Sequence, residues 1–226
     1  MKRAAGIVAA VSIILAAAWA GQRAYRAATG RNDAVRVPAG EASAPLPPPA
    51  TADPAGPIPD HLPAFTLHDP QGHSMPVSTW QGKSLILNFW ATWCAPCRRE
   101  MPLLQALDRD WDARGFRVVG IAVDHPDAVR SFARSLQIDY PLLVGDEDAL
   151  AVAGSLGVTS PAFPFTVFTD RRGQIVALYV GELHKQDTDL ILATVAAVNQ
   201  DQLALEAARQ RIAEGLARRP SGPATL

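Results

Sequence analysis

Cysteine is nearly absent from this 226-residue chain: there are two, both in the tetrapeptide Cys94-Ala95-Pro96-Cys97. Two thiols exclude a four-thiolate zinc site. A bond between them would close too small a ring to staple a fold, because the entropy removed from the unfolded chain grows with loop length. A pair so placed points to chemistry. Charge of one sign is lacking as well. The formal net charge is −1, and no basic stripe with interleaved aromatics occurs, so nothing offers a field for nucleic acid. His61, His68, His73, His125 and His184 are scattered without ligand spacing and read as surface residues, so no metal site is expected. Internal repeats are missing. With 48% hydrophobic and 19% charged residues, global disorder is excluded and a core can form. The length suits one domain with appendages.

Of what is there, the front of the chain comes first. Lys2 and Arg3 precede an uncharged apolar run over residues 4–20, with Ile7, Val8, Val11, Ile13, Ile14, Leu15 and Trp19 in it. Residues 1–22 therefore read as a signal anchor or a signal peptide. Ala18-Trp19-Ala20 fits cleavage, whereas Arg23, Arg26, Arg31 and Arg36, which follow directly, suit a retained, single-pass anchor. Both put the rest of the chain outside the cytoplasm, facing the periplasm or cell exterior, either tethered to the inner membrane or soluble after cleavage. Residues 23–59 read as an Ala/Pro-rich linker, with Pro45, Pro47, Pro48, Pro49, Pro54, Pro57 and Pro59. Proline fixes φ and removes a donor, so this stretch suits an extended spacer.

The globular part is expected over residues 60–200. A hairpin is expected at 65–77 about the turn 69–72, and a strand buried on both faces at 84–90. A helix from about Ala95 follows, with Met101, Leu104 and Leu107 inward. Further strands are expected at 117–123 and 140–144, with helices at 128–136 and 147–155. A strand–turn–strand unit spans 165–180, and a helix at 187–198 closes the domain. A parallel opening with an antiparallel closing hairpin implies a mixed-sheet α/β sandwich. Residues 201–226 continue in helix formers and read as a helical, partly disordered tail, solvated and frayed rather than docked.

Cys94 falls where a buried strand ends and a helix begins. Unpaired backbone N–H groups and the helix dipole there favour a thiolate, the attacking species in disulfide exchange. Cys94 is thus the expected nucleophile. Cys97, one turn into the helix, is the expected resolving thiol. Pro96 suits a first helical turn. Trp93 offers an exposed aromatic contact beside the nucleophile, and Arg98 and Arg99 could add positive potential or merely be surface residues. Glu100 shares a helix face with Cys97 and could relay its proton or form a surface ion pair.

The segment Asn88-Phe89-Trp90-Ala91-Thr92-Trp93-Cys94-Ala95-Pro96-Cys97-Arg98-Arg99-Glu100-Met101-Pro102 closely resembles the active-site segment of the TlpA/ResA-type disulfide reductases, a membrane-anchored branch of the thioredoxin superfamily. Phe163-Pro164-Phe165-Thr166-Val167-Phe168-Thr169-Asp170 resembles that family's cis-proline strand. The resemblance covers roughly residues 60–200. It implies a thioredoxin-like three-layer α/β/α sandwich, a cis Phe163–Pro164 bond facing the cysteines, and pairing of the Phe163 backbone with an extended substrate. Pro-Ala-Phe-Pro at 161–164 departs from the family's glycine-containing lead-in. Asn88 stands where other thioredoxins have a buried aspartate, which leaves Glu100 as the relay.

The resemblance also implies disulfide-containing client proteins, such as apocytochrome c or oxidase assembly factors, and a membrane thiol transporter as electron donor. No cofactor is expected beyond the redox-active disulfide. A copper(I)-handling metallochaperone using the same two thiols is the alternative, and a docking domain with a vestigial motif is a third reading. A peroxidase is disfavoured, since the signature of a threonine three positions before a lone peroxidatic cysteine is not present in an isolated form.

Overall fold

In the computed structural model, residues 58–218 are described. The N-terminal apolar segment, residues 23–57 of the linker and residues 219–226 lie outside the described residues. Among those described, no helix is long and apolar enough to cross a membrane.

Thr66–His68 (β1) and Ser74–Pro76 (β2) form the expected antiparallel hairpin. Asp69 builds its turn, accepting the N–H groups of Gln71 and His73 on Oδ1. A 3-10 turn, Val77–Trp80, follows. Ser84–Trp90 (β3) is buried at every residue, as a continuous apolar run requires. Ala95–Trp111 (α1) turns Cys97, Glu100, Met101, Leu104 and Leu107 inward. Phe116–Val123 (β4) pairs parallel to β3.

Pro126–Ser135 (α2) begins two residues earlier than expected, because a proline at the first helical position lacks only an N–H that has no partner there. Leu142–Gly145 (β5) starts later than expected. Tyr140 is instead a buried side chain below the site, and the Pro141 carbonyl accepts from Gly120 N–H. Glu147–Ser155 (α3), Phe165–Thr169 (β6), Ile175–Val180 (β7) and Lys185–Asn199 (α4) complete the expected series.

The strands join one seven-stranded mixed sheet in the order β2-β1-β5-β4-β3-β6-β7, with β3, β4 and β5 parallel and the other pairs antiparallel. One apolar core lies under α1, α2 and α4 and contains both cysteines. The other lies under α3 and the Val77–Trp80 turn. Helices therefore cover both faces, and β3 runs through the middle and delivers its C-terminal end to the cysteine pair.

The expectation of a frayed tail is corrected. Leu205–Ala217 (α5) buries Ala208 and Ile212 in the core shared with α4. Arg209 anchors it, donating from Nε and Nη2 to the Ile175 carbonyl at 3.1 and 2.8 Å and from Nη1 to Asp60 at 2.9 Å. The folded body thus runs through Ala217 rather than ending at residue 200.

Candidate active site

Cys94 is the N-cap of α1, in extended conformation at φ −81° and ψ 108°, and its Sγ accepts the Cys97 N–H at 3.3 Å. An N-cap residue is extended by its position, and Pro96 in the first helical turn lacks only an N–H that has no partner there. Cys94 and Cys97 are joined as a disulfide, with Cα atoms 5.3 Å apart. Cys97 is fully buried and Cys94 5% exposed, the order expected of a resolving and an attacking thiol. The loop from Trp90 to Cys94 is pinned from β4: Asp124 Oδ2 accepts the Thr92 N–H at 3.0 Å and its hydroxyl at 2.6 Å. Burial pushes the Asp124 carboxyl up, but these bonds and one from the His125 N–H outweigh it and hold the group below the usual range.

Trp93 is 70% exposed, and its ring meets Phe163 edge-on at 6.1 Å. Phe163 stacks on Phe165 and Phe165 on Phe89, so an aromatic file leads from the surface into the core. The Phe163–Pro164 bond is cis, and the Pro164 carbonyl accepts the Gly181 N–H at 2.8 Å. The Trp93–Phe163 contact thus sets the cis-proline turn beside the cysteine loop.

Glu100 is 1% exposed. Its Oε1 accepts from Asn88 Nδ2 at 2.7 Å and its Oε2 from the Leu183 N–H at 2.7 Å. Burial is the main influence and raises its pKa to about 7, against the two hydrogen bonds, which lower it; the Glu182 charge adds a further push upward. Glu100 is therefore no surface ion pair. It is a buried acid poised near neutrality one turn beyond Cys97, where a group can both take and return a proton. Asn88 also donates to Thr166 Oγ1 at 3.0 Å, while its buried Oδ1 has no partner.

The two arginines after the pair diverge. Arg98 lies over the Phe132 ring at 5.6 Å, and Arg99 forms a bidentate pair with Glu182. Sequence reasoning missed Asp124, Glu182 and Leu183. A carboxylate at the end of a strand neighbouring the motif strand is a usable signal for Asp124, whereas Leu183 acts through a backbone amide that no residue type announces. Among the described residues no group of three or more His, Cys, Asp or Glu side chains could hold a metal ion.

The sequence model of the AhpC/TSA family matches residues 58–179. This chain belongs to the AhpC/TSA family. Within it, the thiol-disulfide oxidoreductase ResA of Geobacillus kaustophilus is 31% identical over 134 residues, which cover 59% of this chain and 75% of that protein. The thioredoxin-like protein YneN of Bacillus subtilis is 31% identical over 133 residues, 56% of this chain and 74% of that one. Among solved structures, a thiol:disulfide interchange protein of the thioredoxin family from Chlorobium tepidum matches with a TM-score of 0.55 and 29% identity, covering 63% of this chain and 99% of that one. The AhpC/TSA chain described here is a ResA-like thiol–disulfide oxidoreductase with a thioredoxin-like fold.

Proposed function

We propose that this protein reduces disulfides in exported client proteins, with Cys94 attacking, Cys97 resolving and Glu100 relaying the proton. The observation that carries the reading is the stacking of three groups at one helix mouth. Cys94 Sγ caps the helix and accepts the Cys97 N–H, Cys97 lies buried beneath it, and Glu100 sits one turn further in.

In the reduced enzyme, Cys94 is held as a thiolate by the N-terminal amides of α1 and the helix dipole. It attacks one client sulfur, the other leaves as a thiolate, and a mixed disulfide forms. Glu100, as a carboxylate, takes the Cys97 proton. Cys97 then attacks Cys94 Sγ, the client sulfur bonded to Cys94 departs as a thiolate, and the Cys94–Cys97 disulfide closes. Two electrons have passed to the client, and a membrane thiol transporter restores the dithiol by the reverse exchange. The cysteine pair is itself the redox centre and needs no added cofactor. Trp93, Phe163 and the Pro164 turn receive the client as an extended segment laid along the Phe163 backbone.

Export belongs to the same proposal. It is supported by Lys2, Arg3 and the apolar run over residues 4–20, which suit a single-pass anchor in the inner membrane with the domain outside, or a periplasmic protein once cleaved. Cytochrome c or oxidase assembly factors are the clients this reading favours. Trapping tests it. Cys97→Ser should accumulate client proteins on Cys94 as mixed disulfides that dithiothreitol releases and mass spectrometry names. No adducts, or the same adducts with Cys94→Ser, would contradict it.

A further inference from the structure

Three consecutive residues after β7 bind the cis-proline turn and two neighbouring residues of α1. The Gly181 N–H donates to the Pro164 carbonyl at 2.8 Å, behind the cis bond. The Glu182 carboxylate receives Arg99 Nε at 2.9 and 3.1 Å and Arg99 Nη2 as well. The Leu183 N–H donates to Glu100 Oε2 at 2.7 Å, and the Leu183 side chain is 3% exposed in the core that holds both cysteines. Gly181 lies at φ +109°, a conformation that side chains rarely adopt and that lets the chain turn from the proline to the helix in so few residues.

We propose that residues 181–183 form a strap tying α1 to the cis-proline turn, and that the Arg99–Glu182 pair latches it, making both side chains positioning residues for Glu100. Arg99 and Glu100 are adjacent on α1 but grip the strap from opposite sides: Arg99 from solvent through a side chain, Glu100 from the interior through a backbone amide. The latch adds little to global stability, since the Arg99 side chain is 59% exposed and such pairs are screened by water. Its two-pronged geometry fixes position instead. With the strap down, Leu183 roofs Glu100 and keeps water out. With it up, Glu100 loses a donor and gains solvent.

The inference rests on the relay role proposed for Glu100. The charged or titratable groups acting on that carboxyl are Glu182 on the strap and buried Tyr140 ahead of β5, with Cys97 one turn back on the same helix; Asn88 from β3 is neutral. Lifting the roof acts both ways, since regained solvent moves the titration of Glu100 downward and loss of the Leu183 N–H moves it upward; burial is the larger influence, so the net shift is downward. Removing Arg99 also leaves the Glu182 charge uncompensated, and that alone would move it upward. Arg99→Ala therefore separates a latch from a mere charge.

The test uses the full-length protein carrying a thionitrobenzoate cap on Cys94. Attack by Cys97 releases the coloured thiol, and single-turnover rates are followed over roughly pH 5 to 9. The wild type should show an inflection near pH 7 that Glu100→Gln lacks. Arg99→Ala should move it down by about half a pH unit or more, Glu182→Ala further because the Glu182 charge goes as well, the double variant no further than Glu182→Ala, and Arg99→Lys should restore part of what Arg99→Ala loses. The Leu183 amide should exchange its hydrogen about tenfold faster in both alanine variants. If wild type and Glu100→Gln share one profile, the relay falls and the positioning role with it. If those two differ while both alanine variants follow the wild type, or Arg99→Ala moves the inflection upward, the latch alone is overturned.

Discussion

Replacing Glu100 by glutamine should make the protein less sensitive to alkaline pH, because the wild-type carboxyl is buried and resists ionising. Its pKa rises from the ordinary 4.5 to about 7, with burial as the leading cause. Between those values the native state keeps a proton that the unfolded chain has released, so stability falls as pH rises through the window and levels off above the folded value. At ~1.4 kcal/mol per pH unit the loss reaches about 3 kcal/mol. Glutamine fits the same space. It can keep the Leu183 N–H as a donor, and rotation of the Asn88 amide would offer the unpartnered Oδ1 to the new NH2 group. The assay is urea denaturation of the oxidised protein at about pH 5 and pH 8, on either side of the titration. The variant should gain on the wild type by ~2–3 kcal/mol between the two conditions. Equal differences at both pH values would refute a buried, neutral Glu100.

Two further perturbations probe what supports the site. A methyl group at Gly120 would lie 2.7 Å from Leu142 Cδ2, 3.1 Å from Trp90 Nε1 and 3.2 Å from Tyr140 Cε2. Gly120→Ala should therefore cost about 1–3 kcal/mol and lower the melting temperature by several degrees, and an unchanged melt would contradict the packing described. Asp124→Ala frees Thr92 and should cost about 1–3 kcal/mol at neutral pH. The wild-type carboxyl is held below 3.8, so this contribution is present above that value and fades as pH falls through the folded pKa. The gap between variant and wild type in denaturation experiments should close in acid, and a gap that persists there would count against the pin.

Much of this was legible in the chain. The run Ser-Leu-Ile-Leu-Asn-Phe-Trp at 84–90 is largely apolar at both parities and of strand length, which suited a strand covered on two sides. Cys-Ala-Pro-Cys at its exit announced both the helix start and the chemistry, and Phe163-Pro164 carried the cis bond by resemblance. The misses share a cause. The stripe that docks α5 is narrow, chiefly Ala208 and Ile212, and an alternation so sparse reads the same on a solvated helix. Leu183 and Glu182 meet their partners across 83 positions of sequence, through a backbone amide and a surface carboxylate that no local pattern distinguishes. Glu100 was named from its helix face, but its burial depended on Leu183 and Asn88 closing over it, a tertiary fact.

The account depends most on the ionisation of Cys94 at the mouth of α1. Alkylation of the reduced protein by iodoacetamide, followed against pH and assigned to Cys94 by peptide mapping, measures it directly. Stabilisation by the helix amides predicts a midpoint at least about one unit below the free-thiol value of roughly 8.5. A midpoint at the free-thiol value, with exchange no faster than in a short peptide, would contradict the account.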